Sequence, residues 1–545
     1  MIFTSARDDA DRINRRVMAY GETDRYWRIN AIEALWDGHG YEGRPSFWDK
    51  AVPLRDRAPA VQARLPKTIG ERLAHMVFSE RAFPGVTVAL TGFGVSLSQP
   101  ESAALSALVE DVKRAARLSQ RMRAALIQGL KTGTVCTLAS LVEGRPTLEL
   151  VPAKHATPTL TRSGRVERLV IQYKVPDAAG PGRMAWYRRV IGDGFDRVFE
   201  TVPCTDKGEP DWGKVAVKSE VPIEFVAVRW LRNGDDGVMG LGDIDGAPLI
   251  DGMEDEVFAV DLELSQLYRN ALYNGDPQMV QTGVDDDSTI AAPAGVPAQS
   301  RGFIADAVMK GWRAIGGGEQ VMQKAPGTVW KMPPGGDAKM LESSGAGANI
   351  IKQALEEMRR VVTDAMGAVI ADPNTFARGD LSSKALALLF GPMLDTASDL
   401  RVAYGQLYID VLSDLLRLCA GQAAATAGVR LVSWEPARPV LARLFAGAEW
   451  VGPPLELTWG EFFEPSWQDV TQAVSAAQSA NGGKPVMSAR RAVKMVAPVV
   501  GIDDVDAELA AIEGESREGA EAARDALRSL TGGAPAQKVS PADGA

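Results

Sequence analysis

Apolar positions along this chain switch between a helical and a strand period. From Asp11 to Glu80, Trp27, Ile32, Leu35 and Trp36 are spaced to share one helical face, and a Gly- and Pro-containing stretch from Gly38 to Pro59 interrupts them. A second periodic run (Ile69, Leu73, Met76, Val77) precedes a short β-like segment, Val86 to Leu90. Glu101 to Leu130 then reads as one long amphipathic helix. Between Thr134 and Trp230 the runs become short and β-rich: 134–142, 147–151, 169–175, 186–191 and 224–230. Gly144, Gly164, Gly192 and Gly194 supply turns between them, because glycine accepts positive φ without a Cβ clash. A mostly antiparallel β region is expected.

Two helices with apolar residues spaced alternately by four and three follow. The first carries Met253, Val257, Val260, Leu264, Leu267 and Ala271; the second carries Ile351, Leu355, Met358, Val362, Ala365 and Val369. Such stripes suit lengthwise packing in a bundle or a ring of subunits, and ordinary core helices show the same spacing. Between them, 275–347 is rich in Gly, Pro and Ala, with an acidic run at Asp285 to Asp287. Its own apolar residues, among them Phe303, Val308, Trp312 and Trp330, predict a small protruding subdomain. A third long helix spans Ser382 to Cys419, with Leu400, Tyr404, Leu407, Val411, Leu415 and Leu418 on one face and a bend expected at Gly391–Pro392. Trp467 to Glu515 reads as three short helices with Ser488 and Asp503 as N-caps, and 516–545 as a disordered tail.

Composition narrows the function. The 545 residues, 46% hydrophobic, can bury several domain cores. Lys+Arg 60 against Asp+Glu 70 gives −10, so no global basic field advertises nucleic-acid binding. Cys136, Cys204 and Cys419 are odd in number and far apart, which predicts free thiols, at least two of them buried, and a reducing compartment. The N-terminal MIFTSARDDADRINRR lacks the apolar stretch of a secretory signal, and no segment offers the roughly 18 uncharged apolar residues of a membrane span. A protein assembled in the cytoplasm, off the membrane, is expected.

Candidate chemistry is sparse. His39, His75 and His155 are isolated and read as structural or surface residues; no metal-ligand spacing occurs. Asn481-Gly482-Gly483-Lys484-Pro485 lacks the spacing and the Ser/Thr of a phosphate loop. Gly240-Leu241-Gly242-Asp243-Ile244-Asp245-Gly246 fails both as a dinucleotide fingerprint and as a calcium loop. No nucleophile elbow is present, and the pairs Glu254/Glu256 and Glu356/Glu357 read as solvated helix faces. No enzyme, metal or cofactor is expected.

In its order of parts the chain resembles the portal proteins of tailed bacteriophages, the head-to-tail connector rings. Gly242-Asp243-Ile244 leading to Leu249-Ile250-Asp251 is similar to that family's lead-in to the first stem helix. Met340-Leu341-Glu342 is similar to the strand returning from the clip. Residues 372–386, from Asp372-Pro373-Asn374 to Ser383-Lys384-Ala385-Leu386, resemble the tunnel loop, with Ser383-Lys384 in place of the frequent Ser-Gly. Asn481-Gly482-Gly483, Met487-Ser488-Ala489-Arg490-Arg491 and the acidic finish at 503–515 resemble the family's C-terminal pattern. The resemblance implies an α+β, mainly helical, portal-like fold. Its parts would be a wing at 1–240, a first stem helix at 241–274, a clip-like insert at 275–347 and a second stem helix at 348–371. A tunnel loop at 372–384, a long bent wing helix with its following segment at 385–465 and a helical crown at 466–515 would complete it.

The same resemblance implies a homo-oligomer of about twelve subunits at one capsid vertex. Non-specific double-stranded DNA would pass through it, and the clip would dock first the terminase large subunit and then a head-completion adaptor. Major capsid and scaffold proteins would be neighbours, in the virion and, during assembly, in the host cytoplasm. Asn374, Arg378, Ser382 and Lys384 would lie nearest the DNA, although Arg378 and Lys384 serve equally well as bridges between subunits. Arg301, Lys310, Arg313 and Lys324 in the insert would meet protein partners. A large terminase subunit would instead need a phosphate loop and clustered acidic ligands; a minor capsid or scaffold protein would leave the helix, insert, helix order without a reason.

Overall fold

The computed structural model describes residues 24–80, 82–92, 94–177, 180, 182–192, 194–205, 208–234, 244–274, 278–282, 337–341, 346–369, 383–421, 428–446, 449–463, 467–481, 487–500, 502 and 505–531. In chain order the principal elements begin with α1 (Asp24–Asp37), α2 (Leu65–Phe78), β1 (Gly85–Val88), α3 (Gln99–Ala115) and α4 (Leu118–Thr132). The β region follows: β2 (Thr134–Val142), β3 (Arg145–Val151), β4 (Ala156–Leu160), β5 (Val166–Pro176), β6 (Met184–Gly192), β7 (Phe195–Phe199), β8 (Val217–Pro222) and β9 (Val228–Arg232). Next come α5 (Glu254–Asn274), β10 (Gln278–Thr282), β11 (Asp337–Leu341), α6 (Ala346–Ala365), α7 (Ser383–Leu389) and α8 (Gly391–Gly421). Helix α9 (Trp434–Arg443), β12 (Leu455–Thr458), α10 (Trp467–Asn481), α11 (Ala489–Val500) and α12 (Val505–Thr531) complete the chain. The fold is α+β and mainly helical, as expected. It divides into one compact unit of 1–43, 64–257 and 360–545, and a second of 44–63 and 258–359.

In the first unit the helix expected from Glu101 to Leu130 is two helices. Ala116 closes α3, and Arg117 takes the left-handed conformation at φ 50° before α4 begins. The break keeps both apolar stripes inside: Leu105, Leu108 and Val112 on one side of it, Leu118, Met122 and Leu126 on the other, are all buried. No glycine or proline marks the break.

Helix α3 starts in a capping box. The Ser98 amide and hydroxyl both donate to Glu101 Oε2 at 2.8 Å, and Arg443 Nη1 lies 2.7 Å from Oε1. The Ser98 backbone and side-chain hydrogen bonds, then Arg443, hold the Glu101 carboxyl down at about 2, against 4.5 for a free glutamate. A carboxyl depressed in the folded state stabilises above its unfolded pKa and loses that contribution as pH falls toward the folded value. Acid unfolding followed by circular dichroism is therefore expected to be less steep between pH 4.5 and about 2 in Glu101→Gln than in the unaltered chain. Identical slopes would show that the box does not couple to folding.

The β region forms two antiparallel sheets. One has the order β9-β2-β3; the other runs β8-β7-β6-β5-β4, with Val202–Pro203 also paired to β6. Alternation along β2, β4, β5 and β6 points Cys136, Leu138, Ala156, Leu169, Ile171 and Ile191 into one core with Val151, Val166 and Val228. The expected turn glycines sit at positive φ, Gly144 at 77° and Gly164 at 78°. Helix α8 packs on β2 and on α2 and α3, burying Tyr404, Leu407, Val411 and Leu415. The bend expected near Gly391–Pro392 is a full break between α7 and α8. Pro392 occupies the first turn of α8, where a missing N–H costs nothing.

All three thiols are free, Cys136 and Cys419 buried and Cys204 partly exposed, and burial pushes the first two up to about 12. Three helices occupy the C-terminal region, and Ser488 Oγ accepts the Arg491 amide at 3.3 Å as the N-cap of α11. Asp503 lies outside the described residues. The tail expected from 516 is corrected in part: α12 continues through Thr531. Scarcity of large apolar residues argued for disorder, but Ala, Glu, Arg and Leu, which dominate 516–531, are strong helix formers.

Within the second unit, α5 runs into β10, which pairs antiparallel with β11 so that Met279 faces Met340 and Gln278 faces Leu341. The strand anticipated at Met340–Leu341 is thus present, followed by α6. The apolar residues of the insert, Phe303 to Trp330, and the acidic run Asp285 to Asp287 lie outside the described residues.

Candidate functional site: the anchorage of the long helices

Of the site residues expected from sequence, Asn374, Arg378, Ser382, Arg301, Lys310, Arg313 and Lys324 lie outside the described residues. Lys384 falls on α7, with its side chain outside them. What the structure places in detail is how the long helices on either side of those segments are held.

The lead-in to α5 is anchored by Asp245, whose side chain is 3% exposed. Arg25 of α1 grips it through both carboxylate oxygens, Nε to Oδ2 at 2.6 Å and Nη2 to Oδ1 at 2.7 Å, while Arg28 Nη2 lies 3.3 Å from Oδ2. The Thr134 hydroxyl donates to Oδ1 at 3.2 Å and itself accepts the Gly246 amide at 3.0 Å. Alongside, the Trp230 indole N–H donates to the Ile244 carbonyl at 2.7 Å, with the Arg25 guanidinium 5.6 Å from the Trp230 ring. Backbone bonds from Ala247 to Asn233 and from Leu249 to Leu130 continue the seam. Gly133 permits it: its φ is +79°, and a Cβ there would stand 2.1 Å from the Gly246 carbonyl oxygen. Asp245, which sequence reading weighed only as part of a failed metal or nucleotide loop, spends both oxygens on neighbouring side chains.

Helix α8 is held by a second buried ion pair. Arg229 of β9 meets Asp414 bidentately at 2.7 Å on both bonds, and Asp410 accepts from Nη1 at 3.4 Å. Burial works against the charge on Arg229, but Asp414 and Asp410 outweigh it and hold the guanidinium more firmly protonated than usual. Earlier along α8, the Tyr404 hydroxyl donates to Asn233 Oδ1 at 3.0 Å. A Cβ on Gly129 of α4 would fall 1.8 Å from that hydroxyl oxygen, so glycine allows α4 and α8 to meet here. Further up α8, Arg401 lies beneath Phe462 at 3.6 Å and beside Trp459 at 5.1 Å.

In the second unit, residues 44–63 form a strap along α5. The Ala63 amide donates to Asp261 Oδ1 at 2.7 Å and the Val61 amide to Ser265 Oγ at 3.0 Å; both side chains are buried. Arg44 stacks on Phe258 and Arg269 on Phe47. Sequence reading found the apolar stripe of α5, of which Val257 and Val260 are buried, but passed over Asp261 and Ser265. Their i, i+4 spacing beside that stripe was the available signal.

The histidines match their expected roles: His39 pairs with Glu42 at the surface, His75 is exposed, and His155 stacks between Tyr26 and Tyr173. Glu254, Glu256, Glu356 and Glu357 are exposed on helix faces. Among the described residues no three His, Cys, Asp or Glu side chains gather as metal ligands, and no helix is long and apolar enough to cross a membrane.

No protein-family model matches the chain, and no curated protein matches it. Among solved structures, it is similar to a chain described as the neck of an empty GTA particle computed with C6 symmetry. The TM-score is 0.34 at 12% identity, over 83% of this chain and 95% of the other.

Proposed function

We propose that this chain is a structural, ring-forming connector subunit of a tailed-phage-like particle, of the portal type. One observation carries the reading. Two long helices, α5 and α6, flank an excursion whose ends are tied by the β10–β11 pair, and α7 with the long helix α8 comes next in chain order. That is the order stem, clip, stem, loop and wing helix which the sequence resemblance implies. The anchorage supports it: a channel that carries moving DNA needs a rigid body, and within the first unit Asp245 ties the segment before α5 and Asp414 the body of α8.

In this reading about twelve copies close into a ring with the paired helices toward the channel. The 275–347 insert meets the terminase and later a head-completion protein, and the loop 372–384 approaches the duplex. The net charge of −10 suits sliding, because each phosphate neutralised by a cation adds salt-dependent affinity that motion must overcome. The role is mechanical and not catalytic.

Mass photometry with negative-stain microscopy on the purified full chain tests this. Rings with a central channel and a mass of about 700 kDa are expected from a 58.3 kDa subunit. A monomer or dimer at every salt and protein concentration would sink the reading in favour of a minor capsid or scaffold protein.

A further inference from the structure

Helix α1 brings three residues of one face to a single lysine. Tyr26, Asn30 and Glu33 follow one another at i, i+4 and i+7 and so share a stripe of the helix. Against that stripe lies Lys154, in the short helical turn Ala153–His155 that leads into β4. Its Nζ donates to Asn30 Oδ1 at 3.1 Å and to Glu33 Oε2 at 2.5 Å, and stands 5.8 Å from the centroid of the Tyr26 ring. The Lys154 and Glu33 side chains are only 18% and 17% exposed. From the same turn, His155 packs its ring between Tyr26 and Tyr173, so an aromatic row flanks the group.

Contacts other than their own hold these groups in place. Arg25 Nη1 donates to the Ala156 carbonyl at 2.8 Å, two residues past Lys154, while Nε and Nη2 of the same side chain grip Asp245. Ile29 beside Asn30 and Ala153 beside Lys154 are both buried. An amine, a carboxamide and a carboxylate are thus fixed together, and fixed geometry is what lets an unactivated pair react. A carbonyl bond is about 1.23 Å long, so Nζ lies at most about 4.3 Å from Asn30 Cγ. An ion pair needs only Glu33; the carboxamide on the same nitrogen adds an acyl carbon within reach of a nucleophile.

We propose that Lys154 and Asn30 join covalently, as an isopeptide bond between Nζ and Cγ, with Glu33 as the general base and acid. Two of the three Nζ protons pass through the Glu33 carboxylate to Asn30 Nδ2, one on attack and one on collapse of the tetrahedral carbon. The Nζ–Cγ bond forms, the Cγ–Nδ2 bond breaks, the nitrogen departs as ammonium, and Glu33 ends as the carboxylate it began as. The step consumes no oxidant or other reagent. Its product ties α1 to the turn before β4 and closes a loop across 124 positions, which removes conformations from the unfolded chain. The bond lies inside one subunit and needs no ring, so it stands or falls apart from the connector reading.

Intact-mass spectrometry of the purified full chain under denaturing conditions tests it. The unaltered chain is expected to be lighter than its sequence by one ammonia, about 17 Da, and to yield on proteolysis a branched peptide that joins the Asn30 and Lys154 segments. Lys154→Arg keeps the cation but presents a guanidinium that does not attack, and should leave the chain at full mass. Glu33→Gln keeps the shape and removes the base, and joining should slow at least about a hundredfold. An unaltered chain at full mass with no branched peptide, both at purification and after prolonged incubation, overturns the proposal whether or not the variants fold. A loss of ammonia that persists in Lys154→Arg would place it at another residue, and a gain of about 1 Da at Asn30 would make water the nucleophile; either overturns the bond. Joining at the unaltered rate in folded Glu33→Gln would overturn the part given to Glu33.

Discussion

Asp245→Ala is expected to lower the unfolding free energy by about 3–5 kcal/mol, the usual consequence of removing one partner from a buried ion pair. The carboxylate is 3% exposed and serves Arg25 at two atoms, Arg28 at one and the Thr134 hydroxyl. Its loss leaves the Arg25 guanidinium, at 18% side-chain exposure, against the Trp230 ring without its counter-ion. The damage should spread along the chain, because the Gly246, Ala247 and Leu249 amides are bonded in the same seam that delivers the backbone to α5. Urea unfolding followed by tryptophan fluorescence reads the effect. Arg28→Ala is the control: its side chain is 53% exposed, and a change under about 1 kcal/mol is expected. If Asp245→Ala stayed within about 1 kcal/mol of the unaltered chain, the anchor would be decorative.

Asp414→Ala should cost a similar amount, about 3–5 kcal/mol, but here the cost belongs mainly to the stranded partner. Arg229 is bound through two bonds of 2.7 Å to a side chain only 6% exposed, whereas Asp410, at 3.4 Å and 34% exposed, is a poor substitute. Replacing both residues with apolar ones of similar volume, Arg229→Met with Asp414→Leu, removes the charge along with its partner and is expected to recover most of the loss. The double variant should then lie within about 1–2 kcal/mol of the unaltered chain. A double variant as unstable as Asp414→Ala would mean that the pair contributes net stability rather than specifying how α8 sits on β9.

Both anchors were hard to read in advance for the same reason. Arg25 and Asp245 are 220 positions apart, and Arg229 and Asp414 are 185 apart; neither pair shares a helix face or a strand register that spacing could expose. The residues singled out as chemistry from sequence were judged by local motif alone, so Asp245 drew notice only for standing in a glycine-containing loop.

Local physics was nonetheless legible over most of the chain. The helices carrying Leu73 and Val77, Val257 and Val260, and Tyr404 and Leu415 were visible because burial on one side imposes a 3.6-residue period on the amino acids themselves. Strands β2, β3, β5, β6 and β9 and the glycine turns were visible because a two-residue period and positive φ each demand particular side chains, whereas β4, β7 and β8 were not read from the sequence. The order of helix, excursion and helix follows from those patterns and from the composition of 275–347. Tertiary structure alone decided the break at Arg117, where the chain takes a left-handed residue with no glycine or proline to mark it. It alone chose the charges that are buried and paired, because those depend on which distant segments are brought within about 3 Å of one another.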